Sequence, residues 1–358
     1  MIIDRYIIRE IIKPTAAICT VLVFIFGCYI STRYGEDAVH GILPGFSVLQ
    51  LILLRVVIAL EVLLPTTLYL SVVIALGRLY RDAELTAMFA CGISMARVIR
   101  AVFFVSIIGG LVVASLSLFI RPWAWDQFFQ IKKEAEASFD LTRMKSGTFY
   151  SIGGGERVIF ADKVDGQKNQ AKRVFIQTKT EDSVQVIFAD QAGQFEDDAG
   201  GKPILVFQDG QLYQFPRSGA NGLILEFESS AMHLAPSPVI EREQKVKAAA
   251  TKTLLHSNNL EEIAELQWRL SAPLSTILLA LLAIPLSRSA PRQGKYVKAP
   301  VAILIFAVFY NFNALAKQWV SKGVIEVVPG IWWGQLLLAV LIVFLFWQPI
   351  FLLPWRKR

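Results

Sequence analysis

Arg78 to Arg100 reads RLYRDAELTAMFACGISMARVIR, a polar interruption between two apolar runs that are each long enough to cross a bilayer. Its grammar predicts a short helix on a tight bend. Asp82 is placed to cap an N-terminus, Glu84 suits a first helical turn, and Gly92 suits the residue just past the end. Ser94 would then cap the next helix as it enters the membrane. Leu85, Met88 and Phe89 fall at i, i+3 and i+4 and make one small apolar face beside the acidic residue. Two readings are open for that face: it lies against the chain's own membrane helices, or it is a knob that a soluble partner grips in a groove.

Around this stretch the composition is that of an integral membrane protein: 54% of the 358 residues are hydrophobic and 18% charged, and the mean hydropathy is +0.49. Six segments are free or nearly free of charge: Pro14 to Thr32, Val48 to Leu76, Ala101 to Ile120, Leu270 to Ser287, Ala299 to Ala316 and Val327 to Trp355. Each has the length to cross ~30 Å of hydrocarbon as a helix. Pro14 to Thr32 is of full spanning length without a small-residue cleavage site, so a span rather than a cleaved signal is expected there. Residues 1–13 place Ile3, Ile7 and Ile11 on one face and read as an interfacial lead-in helix that ends where Pro14 opens the first span.

Basic residues in the short connections predict the orientation. Arg5, Arg9, Lys13, Arg78, Arg81, Arg97, Arg100, Arg288, Arg292, Lys295, Lys298, Arg356, Lys357 and Arg358 put 14 cations on one side. Arg33, Arg55, Arg121, Arg269, Lys317 and Lys322 put six on the other. Both termini and the 78–100 stretch are therefore expected in the cytoplasm, and the long polar segment between helices three and four outside. The three cysteines, Cys19, Cys28 and Cys91, supply no disulfide framework and no CxxC metal site.

Between Pro122 and Glu265 the period changes from helical to alternating. After a helical stem around Gln127 to Ser138, strands are expected at Thr148 to Ile152, Arg157 to Ala161, Arg173 to Thr178, Val184 to Ala189, Ile204 to Gln208, Gln211 to Phe215 and Leu223 to Phe227. Turn residues separate them, and Asp209-Gly210 reads as a tight hairpin. The expectation is an antiparallel sandwich or open jelly roll. This segment holds 16 basic and 21 acidic residues, so the membrane halves carry the whole positive excess of the chain. The basic charge follows the membrane rims, which argues against nucleic acid as a partner. The resulting domains are 1–121 (three spans, with the short helix at 82–92), 122–265 (the β-domain with helical stems) and 266–358 (three spans).

Catalytic signatures are absent. The sequence contains no GxxxxGK[ST], no HExxH and no GxSxG. His40, His233 and His256 are scattered and suggest no metal site, and no cofactor is indicated. Any ATP-driven step must come from another subunit. Within the second span, Glu61 lies deep enough to need a partner or a wet cavity, while Arg55 is near enough to the rim to snorkel.

LYRDAELTAMFACGIS at 79–94, LQWRL at 266–270, PLSRSAPRQGK at 285–295 and the N-terminal DRYIIRE resemble the lipopolysaccharide-export permeases of Gram-negative bacteria, the LptF/LptG family, and lie nearer its F branch. The resemblance covers essentially the whole chain. It implies six transmembrane helices around a periplasmic β-jelly roll in the inner membrane, and a heterodimer with an LptG-like permease. Two LptB-like cytoplasmic ATPase subunits, an LptC-like periplasmic jelly-roll protein and lipopolysaccharide are the implied partners. The 78–100 stretch is then an ATPase-coupling element, with Arg81, Glu84, Leu85, Met88, Phe89 and Gly92 as its residues and Glu84 at the acidic position of the family. Arg33 matches a basic position at the outer end of the first span; some relatives have a basic residue where this chain has Ile30.

The outer cations also carry a reading of their own. A ring of them above an apolar cavity suits a phosphorylated sugar headgroup on several acyl chains, because Arg grips phosphate bidentately and Lys acts as a point charge. Arg33, Arg55 and Lys317 are the expected contacts, Arg269 and Lys322 weaker candidates, and Arg121 and Arg269 fit better as interfacial anchors. Two other classes of function are open on pattern: a secondary transporter with an ion path at Arg55 and Glu61, and a membrane glycan-processing protein.

Overall fold

The computed structural model describes residues 2–39, 45–137, 145–152, 157–165, 170–179, 183–196, 203–216, 222–233, 244–288 and 299–347. Two compact units divide the chain: one comprises Met1–Tyr29, Leu54–Asp126 and Val246–Arg358, the other Ile30–Leu53 and Gln127–Lys245.

The helical unit is built from α1 (Ile2–Val39), α2 (Gly45–Arg81), α3 (Glu84–Ala90) and α4 (Met95–Ser115), with α1 and α2 extending beyond it. A single π turn at Leu116–Ile120 leads from α4 into α5 (Arg121–Ala137). After the β-strands come a helical turn α6 (244–248), α7 (Thr251–Leu254), α8 (Leu260–Ser287), α9 (Ala299–Ser321) and α10 (Trp332–Trp347). Among the described residues, five helical stretches are long and apolar enough to cross a membrane, and α10 is a shorter apolar helix of 16 residues. The sixth expected span, Val327 to Trp355, begins later than predicted, and its end lies outside the described residues.

Two helix boundaries differ from the sequence reading. The lead-in segment and the first span form one continuous helix, α1, that runs through Pro14. Proline removes one intrahelical bond, which a long apolar helix tolerates. The fourth expected span starts at Leu260, ten residues before the expected Leu270. Asn259 caps it by accepting a bond from Glu261 N at 3.1 Å, and Glu261 and Glu262 occupy the first turn, where the helix dipole favours acid. α8 is the centre of the unit: 56% of its most apolar window is buried within the chain, against 6% for α1. Its Leu279, Ala280, Leu282, Ala283 and Ile284 join Tyr69, Val72, Leu76 and Val102 in one core cluster.

The second unit holds an antiparallel sheet of six strands in the order β1-β2-β3-β4-β5-β6. They are β1 (Thr148–Ile152), β2 (Arg157–Asp165), β3 (Gln170–Lys179), β4 (Ser183–Glu196), β5 (Pro203–Pro216) and β6 (Leu223–His233). Among the described residues the strands form one up-and-down sheet, and the expected Asp209-Gly210 hairpin is not formed, because β5 runs unbroken from Pro203 to Pro216. Asp209 does adopt a left-handed φ of 52°, but the chain continues straight on as β5. Gly210 is required there for a different reason. A Cβ at this position would meet the Phe188 carbonyl oxygen at 2.5 Å and the Phe227 ring at 2.6 Å.

Asp209 belongs to a crease that crosses five strands. Cross-strand pairing is skipped at Asp162 and Arg173, at Arg173 and Asp190, at Asp190 and Asp209, and at Asp209 and Glu228. On each side of that row the buried residues alternate normally, but across it the spacing is three: Ala161 to Val164, Ala171 to Val174, Ala189 to Ala192. The skipped residues lie opposite one another, so the register is the same on both sides of the row, and the three-residue spacing across it keeps the same face inward. The sheet is creased along this line through β2 to β6 and buries a single apolar cluster around Ile159, Ile176, Ile187 and Phe207.

Candidate functional site

The short helix α3 is held where the sequence places it, by means that the sequence does not show. Its N-cap is Ala83, at a left-handed φ of 57° and without any side-chain cap. Asp82, the expected cap, instead faces Arg81 Nε at 3.1 Å and Arg78 Nε at 4.0 Å. The C-terminus closes as a Schellman motif, with Gly92 at φ 83°, Gly92 N donating to Phe89 O and Ile93 N donating to Met88 O, both at 3.0 Å. Ser94 precedes α4 with an extended backbone but makes no side-chain cap bond.

The apolar face of α3 turns inward. Leu85 is fully buried in the main helical core, and Met88 and Phe89 pack half-buried against it. Thr86, Ala87, Ala90, Cys91 and Gly92 form the exposed surface. Of the two readings for the apolar stripe, packing against the chain's own helices is the one this arrangement satisfies for Leu85. Two side chains of α1 grip the bend: Tyr6 Oη donates to Glu84 Oε2 at 2.6 Å, and Glu10 Oε2 pairs with Arg78 Nη2 at 2.6 Å.

At the other end of these helices the structure assembles a buried charge network. Glu265 on α8 is 1% exposed and faces three cations: Arg121 Nη1 at 2.7 Å, Arg269 Nε at 3.0 Å and Lys317 Nζ at 2.5 Å. Glu61 on α2, 5% exposed, pairs with Arg121 Nε at 2.9 Å and accepts from Ser117 Oγ at 2.6 Å. Glu61 thus has the partner that its depth demands. Removing one member of such a cluster strands charge in a low-dielectric setting, which costs about 3–5 kcal/mol.

Arg121 and Arg269, expected as interfacial anchors, are instead buried. Besides its Nε bond to Glu265, the Arg269 guanidinium is held by three further protein acceptors. Nη2 donates to Lys247 O at 3.0 Å, and Nη1 donates to Ala249 O at 2.9 Å and Thr251 Oγ at 3.0 Å. Thr251 Oγ in turn donates at 2.6 Å to Leu118 O, a carbonyl in the π turn, where the wider ring alters the backbone bonding. The chain that leads back into α8 is thereby tied to α4 and α8 at once. Glu265 and Thr251 went unnoticed in the sequence reading. The signal was there in Asn259 followed by two acids, which starts the helix early, and in Glu265 and Arg269 at i, i+4.

The remaining outer cations are more open. Lys317 keeps 25% of its side chain exposed and lies 5.3 Å from the Trp268 ring. The Arg55 guanidinium sits 4.7 Å from the Trp125 ring, which Lys247 also approaches at 5.5 Å. Lys322 is exposed. Arg33 is exposed and belongs to the second unit.

That unit has a candidate surface of its own. On the face opposite its core, Phe149, Phe160, Phe175 and Phe188 stand in one cross-strand row. Ring centroids are 4.5 Å apart for the first two and 5.0 Å for the last two. With the charged crease residues they line an open groove of about 1040 Å³. Among the described residues, no group of three His, Cys, Asp or Glu side chains is arranged to hold a metal.

A helical membrane protein with an inserted antiparallel sheet, a buried ion network at one end and a clamped short helix at the other is the class that this geometry defines. The chain belongs to the LptF/LptG family of lipopolysaccharide export system permeases, whose sequence model matches residues 5–348. It is similar to the lipopolysaccharide export system permease protein LptF of Escherichia coli strain K12, 28% identical over 354 residues that cover 98% of this chain and 96% of that protein. The LptF proteins of Escherichia coli O157:H7 and Shigella flexneri show the same identity and coverage.

Proposed function

We propose that this chain is a permease subunit of the machine that extracts lipopolysaccharide from the bacterial inner membrane and hands it on toward the outer membrane. The observation that carries this reading is the match to the permease family along nearly the whole chain, both helical halves and the sheet included. In this reading six helices span the membrane, with α10 as the sixth, and both termini and α3 are cytoplasmic. Residues 122–265 form a periplasmic open jelly roll between the membrane halves 1–121 and 266–358. A sheet that creases along one row brings its two halves around a shared apolar face, which supports that description. The subunit itself hydrolyses nothing. Two LptB-like ATPase subunits drive it, an LptG-like permease pairs with it, and an LptC-like protein receives the lipid.

Residues 82–92 are the coupling element. Since Leu85 is buried, the surface offered to the ATPase is the exposed one around Thr86, Ala87 and Ala90, with Glu84 at its edge; Arg81, Met88, Phe89 and Gly92 shape it. Arg33, Arg55 and Lys317 contact the phosphorylated headgroup, with Lys322 secondary. Arg269, buried and held by four hydrogen bonds to protein acceptors, acts by holding the rim in place. The secondary-transporter alternative is not favoured, because Glu61 is tied to Arg121 and Ser117 rather than open to an ion path.

Two measurements test the reading. Copurification from native membranes is expected to bring down an ATPase; a permease isolated without one overturns it. Neutralising Arg33, Arg55 and Lys317 together is expected to lower lipopolysaccharide crosslinking and lipopolysaccharide-stimulated ATP hydrolysis while the subunits still assemble. Normal extraction by the triple variant reduces these cations to membrane anchors.

A further inference from the structure

We infer that Tyr6 is a positioning residue for the coupling element: from the start of α1 its hydroxyl fixes the Glu84 carboxylate, and with it the N-terminal end of α3, in the orientation that the ATPase reads. The inference rests on the coupling role proposed for residues 82–92.

A helix of seven residues is too short to be stable alone. α3 also lacks a side-chain cap, and its N-cap residue, Ala83, sits in the left-handed region that an alanine occupies only at a cost. Its first turn must therefore be held from outside. Three contacts do this. Leu85 is fully buried in the same cluster as Ile7 and Ile11 of α1. Glu10, one helical turn after Tyr6, pairs with Arg78 just before the bend. Tyr6 Oη takes Glu84 just after it. Of the three, the Tyr6 bond alone acts on a group placed to meet a partner. It occupies Oε2 and leaves Oε1 without a hydrogen-bond partner among the described residues. A donor that uses one carboxylate oxygen restricts the rotamers of the side chain, so the free oxygen points one way before the partner arrives. Pre-organisation of this kind raises affinity by removing the ordering cost from the binding step.

The test uses the assembled permease pair and its ATPase subunit. Tyr6→Phe keeps the ring packed against the core and removes only the hydroxyl. Loss of a hydrogen bond to a charged group is expected to weaken ATPase binding by about tenfold and to lower lipopolysaccharide released per ATP hydrolysed. In a Glu84→Ala background the same Tyr6→Phe change is expected to do nothing more, because the hydroxyl acts through that carboxylate. A general loss of packing would add to the Glu84→Ala defect instead, and that result overturns the inference. If Glu84→Ala weakens binding and Tyr6→Phe alone does not, the positioning role fails and the coupling role stands. If neither change affects binding or export, the coupling role itself is wrong.

Discussion

The two ends of the helical unit treat charge in opposite ways. Around Glu265, Glu61, Arg121, Glu265 and Arg269 are buried and joined to one another, with Lys317 reaching in from the half-exposed edge, and Arg121 and Arg269 are buried despite carrying the longest basic side chain available. Around α3, Arg81, Asp82, Arg97 and Arg100 remain partly or fully exposed, and the buried contacts are apolar apart from the grip on Glu84 and Arg78. Buried ion clusters are rigid, since every member depends on the others. An apolar seat with two polar grips is easier to shift, because hydrophobic contacts are non-directional. The first end suits a fixed frame; the second suits an element that transmits movement.

The comparison breaks most visibly at Glu265. Glu265→Ala leaves Arg121, Arg269 and Lys317 facing one another, and a loss of about 3–5 kcal/mol in stability is expected, read as a drop in the unfolding midpoint of the detergent-solubilised protein. An unchanged midpoint would mean that the network does not frame these helices. At the other end, Leu85→Asp puts a charge into a fully buried site and is expected to cost about 3 kcal/mol. Thr86→Asp, one residue along but exposed, is expected to stay within about 0.5 kcal/mol of wild type while impairing ATPase pull-down. Equal destabilisation by the two variants would contradict the inward turn of the apolar face.

Smaller effects sharpen the contrast. Gly210→Val forces a side chain against the Phe188 carbonyl at the crease, and about 1–3 kcal/mol is expected from overpacking, confined to the sheet and visible as increased proteolysis there. Arg33→Gln is expected to be smallest, within about 0.5 kcal/mol in stability, with lower crosslinking to lipopolysaccharide as its sole clear phenotype. A large stability loss from Arg33→Gln would place this residue with the frame rather than with the substrate.

Much of the architecture is legible in one dimension because the membrane and the β-ladder impose simple periods. Apolar length announces the spans from Pro14 to Ala316, and the change to alternation locates all six strands, since each property depends on a residue and its near neighbours alone. The end of α3 is legible for the same reason: Gly92 answers a local backbone requirement. Local rules fail where the deciding partner is remote in sequence. Asp209-Gly210 looks like a hairpin until Phe188 and Phe227 are seen to require the glycine for lack of space. Leu85 looks free for a partner, but it is buried in the core cluster to which α1 contributes Ile7 and Ile11. The crease had a trace in the sequence, with Ala161, Ala171 and Ala189 each followed three residues later by Val164, Val174 and Ala192, yet the break has meaning only once the strands are in register.

The sequence by itself determined that this is a membrane protein with an inserted β-domain and a short polar helix between its second and third spans, because hydrophobic length and periodicity are properties of contiguous residues. Only the tertiary structure decided which charges are spent inside the protein and which remain available. Glu61, Arg121, Glu265, Arg269 and Lys317 stand on four different helices up to 256 positions apart, and the free energy of a buried charge depends on what lies within a few ångströms of it, which a linear chain does not specify.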